Sequence, residues 1–426
     1  MGDFLAFPPA RRLSGSLRVP SSKSATNRAL ILAALTASPV EIVRPLESDD
    51  TRVLARCLAA MGAAIVATGD GLRVSGPLGA RGRGEILLDA GDSGTAARFL
   101  AAVASATPGD FLLDGSHRLR ERPMGELVAA LREAGARLEN RGEPGRLPLA
   151  IQGGGLSARE VSVDASRSSQ FVSALLLAAV AVDGGLRVRP AGAVVSGPYV
   201  ASTLEVLQAF GHTASSADGV FAAARGRHVT ERWTVPGDYS SAVPLVAAVG
   251  AAGGDVVLSG LRWPSTDADA RALPVLAAMG VSVEPSPAGL RVRADRDALE
   301  PAVAAATEFP DAVPALAALA ALAPGASVFS GIGHLRIKES DRLVALETLS
   351  RAAGASAEAS EDGLRVTGPV PENVGTRRLP TFRDHRIAMA AGILAVRLPG
   401  ILVEDPGCVA KSYPGFFRDL ESLVQR

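Results

Sequence analysis

Cysteine is almost missing from this chain. Of 426 residues only Cys57 and Cys408 are cysteines, and neither forms a CxxC pair or a cluster with the five histidines. A disulfide framework and a zinc site are therefore not expected. Charge of one sign is missing as well: Lys plus Arg and Asp plus Glu stand at 44 each, which leaves no overall basic field to hold nucleic acid or an anionic membrane. Any cationic site must be local. Long apolar runs are missing too, because the stretch from Phe171 to Val182 ends at Asp183-Gly184-Gly185, well short of the ~20 residues of a membrane span. The opening MGDFLAFPPARRLSG lacks the apolar core of a signal peptide, and Ala6 stands where a myristoylation signal wants a hydroxyl residue. These absences lead to the expectation of a soluble, cytoplasmic protein with neither nucleic acid nor membrane as partner.

What is present is length and repetition. A chain of 426 residues is too long for one ordinary core, so two domains are expected. KSATNRALILAAL from Lys23 recurs as DSGTAARFLAAVA from Asp92, SSQFVSALLLAAVAV from Ser168, DYSSAVPLVAAVGAA from Asp238, PDAVPALAALAALA from Pro310 and DHRIAMAAGILAV from Asp384, about 70 residues apart. Each is apolar on nearly every face, which predicts a buried helix. A more polar helix alternates with it and ends in a glycine turn at Gly62, Gly135, Gly211, Gly280 and Gly354. FFRDLESLVQR is the degenerate sixth copy. GLRVSGP, GLRVRADR and GLRVTGP read as strands. No capping repeat with a polar outer face occurs, so six mixed units fit two compact domains of three better than an open solenoid.

The chemistry gathers where the apolar helices begin. Five of the six copies start with Ser or Asp, which satisfy free amides there, and if the repeats are equivalent their partial positive charges converge on an anion site. Lys23, Ser24 and Arg28 offer a point charge, a hydroxyl and a bidentate fork, yet taken alone they equally suit a capped helix with surface cations. GDSGTAAR places Gly94 where a backbone can approach a ligand, or where a strand turns tightly into a helix. Arg122 in RLRERPMGEL reads also as a solvated cation, and the hydroxyls and amide of Ser168, Ser169 and Gln170 also as capping groups. In HLRIKESDRL, Lys338 and Arg342 are four apart and on one helix would face the same way, which calls for an anionic partner. Arg386 and Lys411 complete the cations. Asp311, heading an apolar helix, is either an N-cap or a general base.

Together and in order, PSSKSATNRA, GDSGTAAR, RERPMGEL, SSQF, the Asp311 helix, IKESDRL, DHRIAMA and AKSYPGFF resemble the signatures of the 3-phosphoshikimate 1-carboxyvinyltransferase (EPSP synthase) family, from about residue 12 to the C-terminus. The resemblance implies an α/β fold, a two-domain inverse α/β barrel with three βαβαββ repeats in each domain. One domain is expected at 20–235 and the other at 1–19 plus 236–426, with ligands in the cleft between them. By matching motif, Lys23, Ser24, Arg28, Ser168, Ser169, Gln170, Ser196, Tyr199, Asp311 and Lys338 resemble the shikimate 3-phosphate site. Lys23, Gly94, Arg122, Gln170, Arg342, Arg386 and Lys411 resemble the phosphoenolpyruvate site. Asp311 and Lys338 resemble the groups that move the hydroxyl proton, Glu339 the acid near the methylene carbon, and Lys23 a further catalytic group. No metal and no organic cofactor is implied, and a monomer acting on small molecules is expected. His334 and Asp92 stand where the family commonly has asparagine, and both are left outside the site.

Two other readings stay in view. UDP-N-acetylglucosamine enolpyruvyl transferases share the fold and the donor, but typically carry a reactive cysteine in the loop before the Arg122-like position, where SHRLRERP has none. A noncatalytic anion-binding repeat protein could keep the cations while losing Asp311, Lys338 and Glu339, and all three are present.

Overall fold

The computed structural model describes residues 3–79, 84–373 and 375–425. The chain folds into two compact units, Ser21–Val235 and the pair of segments Met1–Pro20 and Pro236–Arg426. Each unit has its own hydrophobic core.

In the Ser21–Val235 unit three four-stranded sheets share one plan. A parallel pair is joined to an antiparallel hairpin, as when Ile86–Asp89 runs parallel to Asp110–Asp114, which pairs antiparallel with Leu149–Gln152 and through it with Arg137–Asn140. The sheet of Glu160–Asp164, Leu186–Ala191, Val220–Ala224 and Thr213–Ala217 repeats it. In the third sheet the chain closes on itself: Arg232–Thr234, from the end of the unit, lies parallel to Val40–Val43 near its beginning. Parallel pairs require crossover connections, and the apolar helices supply them. Gly94–Ala106, for example, links the first two strands of its sheet. The other unit holds three sheets as well, and its closing pairs are Leu13–Arg18 with Gly254–Ser259 and Phe4–Ala6 with Ile401–Glu404.

Helices lie inside and sheets outside. All fourteen residues of Tyr239–Ala252 are buried, as are all eight of Val313–Ala320, whereas strands such as Glu160–Asp164 alternate exposed and buried positions. Small Ala-rich helices pack closely enough to share one core, and the sheets turn their polar faces to water. This is the inverse α/β barrel with three βαβαββ repeats in each domain. The glycines that close the alternate helices, Gly62, Gly135, Gly211, Gly280 and Gly354, have φ values of 104, 99, 84, 94 and 107°, a region an L side chain rarely enters. Phe416–Ser422 is the sixth, shortened copy. Among the described residues no helix is long and apolar enough to cross a membrane.

Candidate active site

In the Ser21–Val235 unit the first turns of three buried helices meet. Ser22 caps the helix Lys23–Ala34 by accepting from the Ala25 amide at 3.3 Å, so Lys23 and Ser24 are its first two residues. Arg28, one turn on and buried, donates from Nε to Thr203 Oγ1 (2.8 Å), from Nη1 to the Ser24 carbonyl (2.9 Å), and from Nη2 to the Tyr199 carbonyl (3.1 Å) and Ser173 Oγ (3.4 Å). Its guanidinium thereby fixes the backbone of two other predicted ligands. Gln170 opens the helix Gln170–Ala179; its Oε1 accepts from Arg98 Nη1 at 2.6 Å and its Nε2 donates to Thr95 Oγ1 at 3.1 Å. Ser168 sits just before it, its Oγ accepting from the Gln170 amide (3.3 Å), beside buried Ser169. Ser196, also buried, has φ 54° and precedes the Pro198–Ala209 helix that carries Tyr199. Lys23 Nζ is tied to Asp50 Oδ2, a residue not expected at the site, at 3.0 Å.

At Gly94 the missing side chain makes room for a cation. A Cβ built there would lie 2.6 Å from Arg122 Nη1 and 2.7 Å from its Cζ. The missing side chain therefore admits the buried Arg122 guanidinium against the helix start. Asp92, left out of the site, is exposed and accepts from the Ser116 hydroxyl.

In the second unit the helices Tyr239–Ala252, Val313–Ala320 and His385–Arg397 also meet at their beginnings, around a network of opposite charges. Arg342, 1 % exposed, donates from Nε to Asp384 Oδ2 (2.8 Å), from Nη1 to Asp311 Oδ1 (2.9 Å), and from Nη2 to Glu339 Oε2 (2.9 Å) and Asp384 Oδ1 (3.3 Å). Arg386 reaches Asp311 Oδ2 (3.3 Å), Ser240 Oγ (2.6 Å) and the Ser240 carbonyl. Asp384, fully buried, caps its own helix by accepting from the Arg386 amide at 2.9 Å. Burial alone would push Arg342 down, but Asp384, Glu339 and Asp311 outweigh it and hold the guanidinium firmly charged, above its ordinary value. Burial likewise disfavours the charge on Arg386, and Asp311, Asp269 and Asp238 overcome it. Lys338 follows the 3-10 turn Gly333–Ile337, and buried Lys411 ends the turn Pro406–Lys411.

Two expectations are corrected here. Lys338 and Arg342 do not share a helix: Lys338 is extended, and the helix begins at Arg342 behind its cap, Asp341. The charge that Arg342 needs comes from three carboxylates, Asp384, Glu339 and Asp311. Asp311 is not an N-cap, since no side-chain capping bond forms at its turn and both carboxylate oxygens go to arginines. A charged acceptor beside two buried guanidiniums gains more from them than from an amide.

Asp50, Asp384 and Arg98 are absent from the residues expected at the site, and His334 was set outside it. Asp384 carried the same signal as Asp311, an acid heading an apolar helix. His334 is half-buried, and burial together with Lys338 pushes it down to about 4, against the opposing pull of Asp311 and Asp362. It therefore stands neutral beside the site residues. One compositional signal went unused: only three of the 44 cationic residues are lysines, and they are Lys23, Lys338 and Lys411. Arginine stands at every other cationic position, and a compact ammonium is not interchangeable with a guanidinium.

Two domains of three βαβαββ repeats, each with cations and carboxylates gathered at helix beginnings, define a protein that binds small polyanions and can move protons beside them. Comparison with known proteins is specific. The family model for EPSP synthase (3-phosphoshikimate 1-carboxyvinyltransferase) matches residues 8–420. The 3-phosphoshikimate 1-carboxyvinyltransferase of Syntrophobacter fumaroxidans is 39% identical over 419 residues, covering 97% of this chain and 98% of that one. That of Thiobacillus denitrificans is 37% identical over 429 residues, covering 99% and 100%. The EPSP synthase structure from Acinetobacter baumannii superposes with a TM-score of 0.80 at 26% identity, covering 100% of this chain and 98% of that one. The chain belongs to the EPSP synthase family, the one its motifs resemble.

Proposed function

We infer that this protein transfers the enolpyruvyl group of phosphoenolpyruvate to the 5-hydroxyl of shikimate 3-phosphate, releasing phosphate, and so serves the shikimate pathway to aromatic amino acids. The observation that carries the chemistry is the Asp311 carboxylate gripped by Arg342 and Arg386 at 2.9 and 3.3 Å, with Glu339 on the same Arg342. It supplies oriented carboxylates and cations within one hydrogen-bonded group.

In the addition step the 5-oxygen bonds to C2 of phosphoenolpyruvate, the hydroxyl proton leaves, and the methylene C3 gains a proton. In the elimination step C3 gives a proton back and the C2–O bond to phosphate breaks. Asp311 and Lys338 are assigned to the hydroxyl proton and Glu339 to the methylene. Arg122, Arg342, Arg386 and Lys411 hold the phosphate and carboxylate of the donor with Lys23, Gly94 and Gln170. Lys23, Ser24, Arg28, Ser168, Ser169, Gln170, Ser196 and Tyr199 receive the acceptor, joined by Asp311 and Lys338. Arg342 already spends four of its five donors on carboxylates, leaving one Nη1 hydrogen without a partner among the described residues. Its contribution is therefore a fixed field more than a fork closed on the ligand.

Residues 20–235 and the remainder are assigned as the two substrate-binding domains, in a cytoplasmic monomer. Both thiols argue against the UDP-sugar reading: burial pushes Cys57 and Cys408 up to about 12, which leaves neither a ready nucleophile. Phosphate release from phosphoenolpyruvate, measured with each acceptor, tests the assignment. Release is expected with shikimate 3-phosphate and not with UDP-N-acetylglucosamine; the reverse would overturn it.

A further inference from the structure

Asp50 is a buried carboxylate that none of the chemistry above uses. It lies in the first turn of the helix Asp49–Ala60 and is 4 % exposed. A carboxylate so placed must be paired or strongly hydrogen-bonded, and its partner is Lys23, twenty-seven residues away, at 3.0 Å. The surrounding bonds hold that meeting in register. Thr26, one turn from Lys23, accepts from the Leu46 amide at 3.0 Å, and Thr51, beside Asp50, donates to the Leu46 carbonyl at 2.7 Å. Thr26 Oγ1 also donates to the Ser22 carbonyl at 2.8 Å, and Thr51 Oγ1 accepts from the Ser48 amide at 3.0 Å. The beginnings of the two helices are thus laced through the 46–51 loop, and the carboxylate and ammonium close the lacing.

A helix-dipole role does not account for this. Asp49, adjacent in the same turn, serves that purpose from the surface, with a side chain 61% exposed and Arg52 as its partner at 3.9 Å. Asp50 differs in being buried and in holding one of the chain's three lysines. An ammonium has three donors; giving one to a fixed carboxylate limits where the nitrogen can stand while others face an incoming anion.

We propose that Asp50 is a positioning residue for the enolpyruvyl transfer, holding the Lys23 ammonium where it meets the substrate anions. The inference rests on the functional reading of Lys23 given above. Asp50 touches no substrate; it acts through Lys23. Its loss leaves the ammonium present but unplaced, which affects the transition state more than ground-state binding.

With lysine at only three positions, a brief pulse of acetic anhydride at pH 8, followed by peptide mass spectrometry, reports on Lys23 against Lys338 and Lys411 as internal references. In Asp50→Asn, acetylation of Lys23 relative to those two should rise about 5- to 30-fold, the population change from losing one charged hydrogen bond. The same variant should lose about 10- to 100-fold in kcat with KM for both substrates within a few-fold. Asp49→Asn, which removes the same charge from the same helix turn, should change neither readout. Asp50→Glu keeps the charge but moves it by a methylene, and should show both effects in a folded protein if the asparagine variant does not fold. Unchanged Lys23 labelling, unchanged kcat, or equal effects from Asp49→Asn would overturn the proposal. The labelling needs no substrate, so a parent protein inactive with shikimate 3-phosphate would refute the functional reading while Lys23 placement was still read.

Discussion

Replacing Asp311 by asparagine separates a capping acid from a carboxylate set between two cations. A cap would be little affected, because asparagine caps as well as aspartate. The structure predicts otherwise. Arg342 Nη1 and Arg386 Nη2 both end on this carboxylate, and an asparagine offers one acceptor oxygen while turning an NH₂ toward the other guanidinium. A charged hydrogen bond contributes about 1.5–3 kcal/mol. Two such bonds come to about 3–6 kcal/mol, and two considerations reduce that sum: the Asp311 side chain is 25% exposed, and both arginines keep further acceptors in Asp384, Glu339 and Ser240. A net cost of about 2–4 kcal/mol is expected, well below the sum for a fully buried pair. At about 2–4 °C per kcal/mol for a domain of about 150–250 residues, melting should fall by about 5–15 °C. Turnover should fall by about 10²–10⁴-fold, as for loss of a general base. Differential scanning calorimetry and phosphate release give the two numbers on one sample. An unchanged melting temperature would refute the double ion pair, and turnover within a few-fold of the parent would move proton transfer to Lys338 or Glu339.

Three further outcomes follow from named contacts. Gly94→Ala should raise KM for phosphoenolpyruvate several-fold more than for the acceptor, because the new methyl displaces the Arg122 guanidinium; equal changes would make Gly94 a turn residue only. Burial, with His228 and Arg225, pushes His212 down to about 4. Between that value and about 6.5 the unfolded chain binds more protons, so stability should be lost as pH falls from about 6.5 to 4. His212→Asn, whose oxygen can accept from the Gly226 amide in place of Nδ1, should flatten that part of a melting-temperature profile, and an unaltered slope would count against it. Iodoacetamide at pH 8 should leave activity intact, since burial pushes both thiols up to about 12; rapid inactivation matched to Cys57 or Cys408 modification would contradict this.

How far the sequence revealed the protein depends on how local each signal is. The six buried helices were legible because each is apolar on nearly every face and five of them begin behind Ser or Asp, and the glycines after the alternate helices were legible because only one backbone region suits them. Family and fold followed from motif order. Pairing was not legible. Nothing in PLESDD says that Asp50, and not Asp49, turns inward to Lys23, because that choice depends on how two helices pack. Asp311 looked like a cap since sequence shows the helix it heads but not the arginines from 31 and 75 residues further on. The spacing of Lys338 from Arg342 fits a helix, but Asp341 between them is the cap behind which the helix begins. The contact between Gly94 and the Arg122 guanidinium was not legible either, because only the tertiary fold brings them together.

Proton NMR of the reaction run in D₂O tests the central claim most directly. If Asp311, Lys338 and Glu339 carry an addition followed by an elimination, C3 of the donor becomes a methyl group and then loses one of its three hydrogens. Shikimate 3-phosphate and phosphoenolpyruvate should therefore give an enol ether at the 5-oxygen with deuterium in its vinyl methylene, together with one phosphate per product. An enol ether free of deuterium would contradict the addition–elimination route, and no enol ether at all would contradict the function.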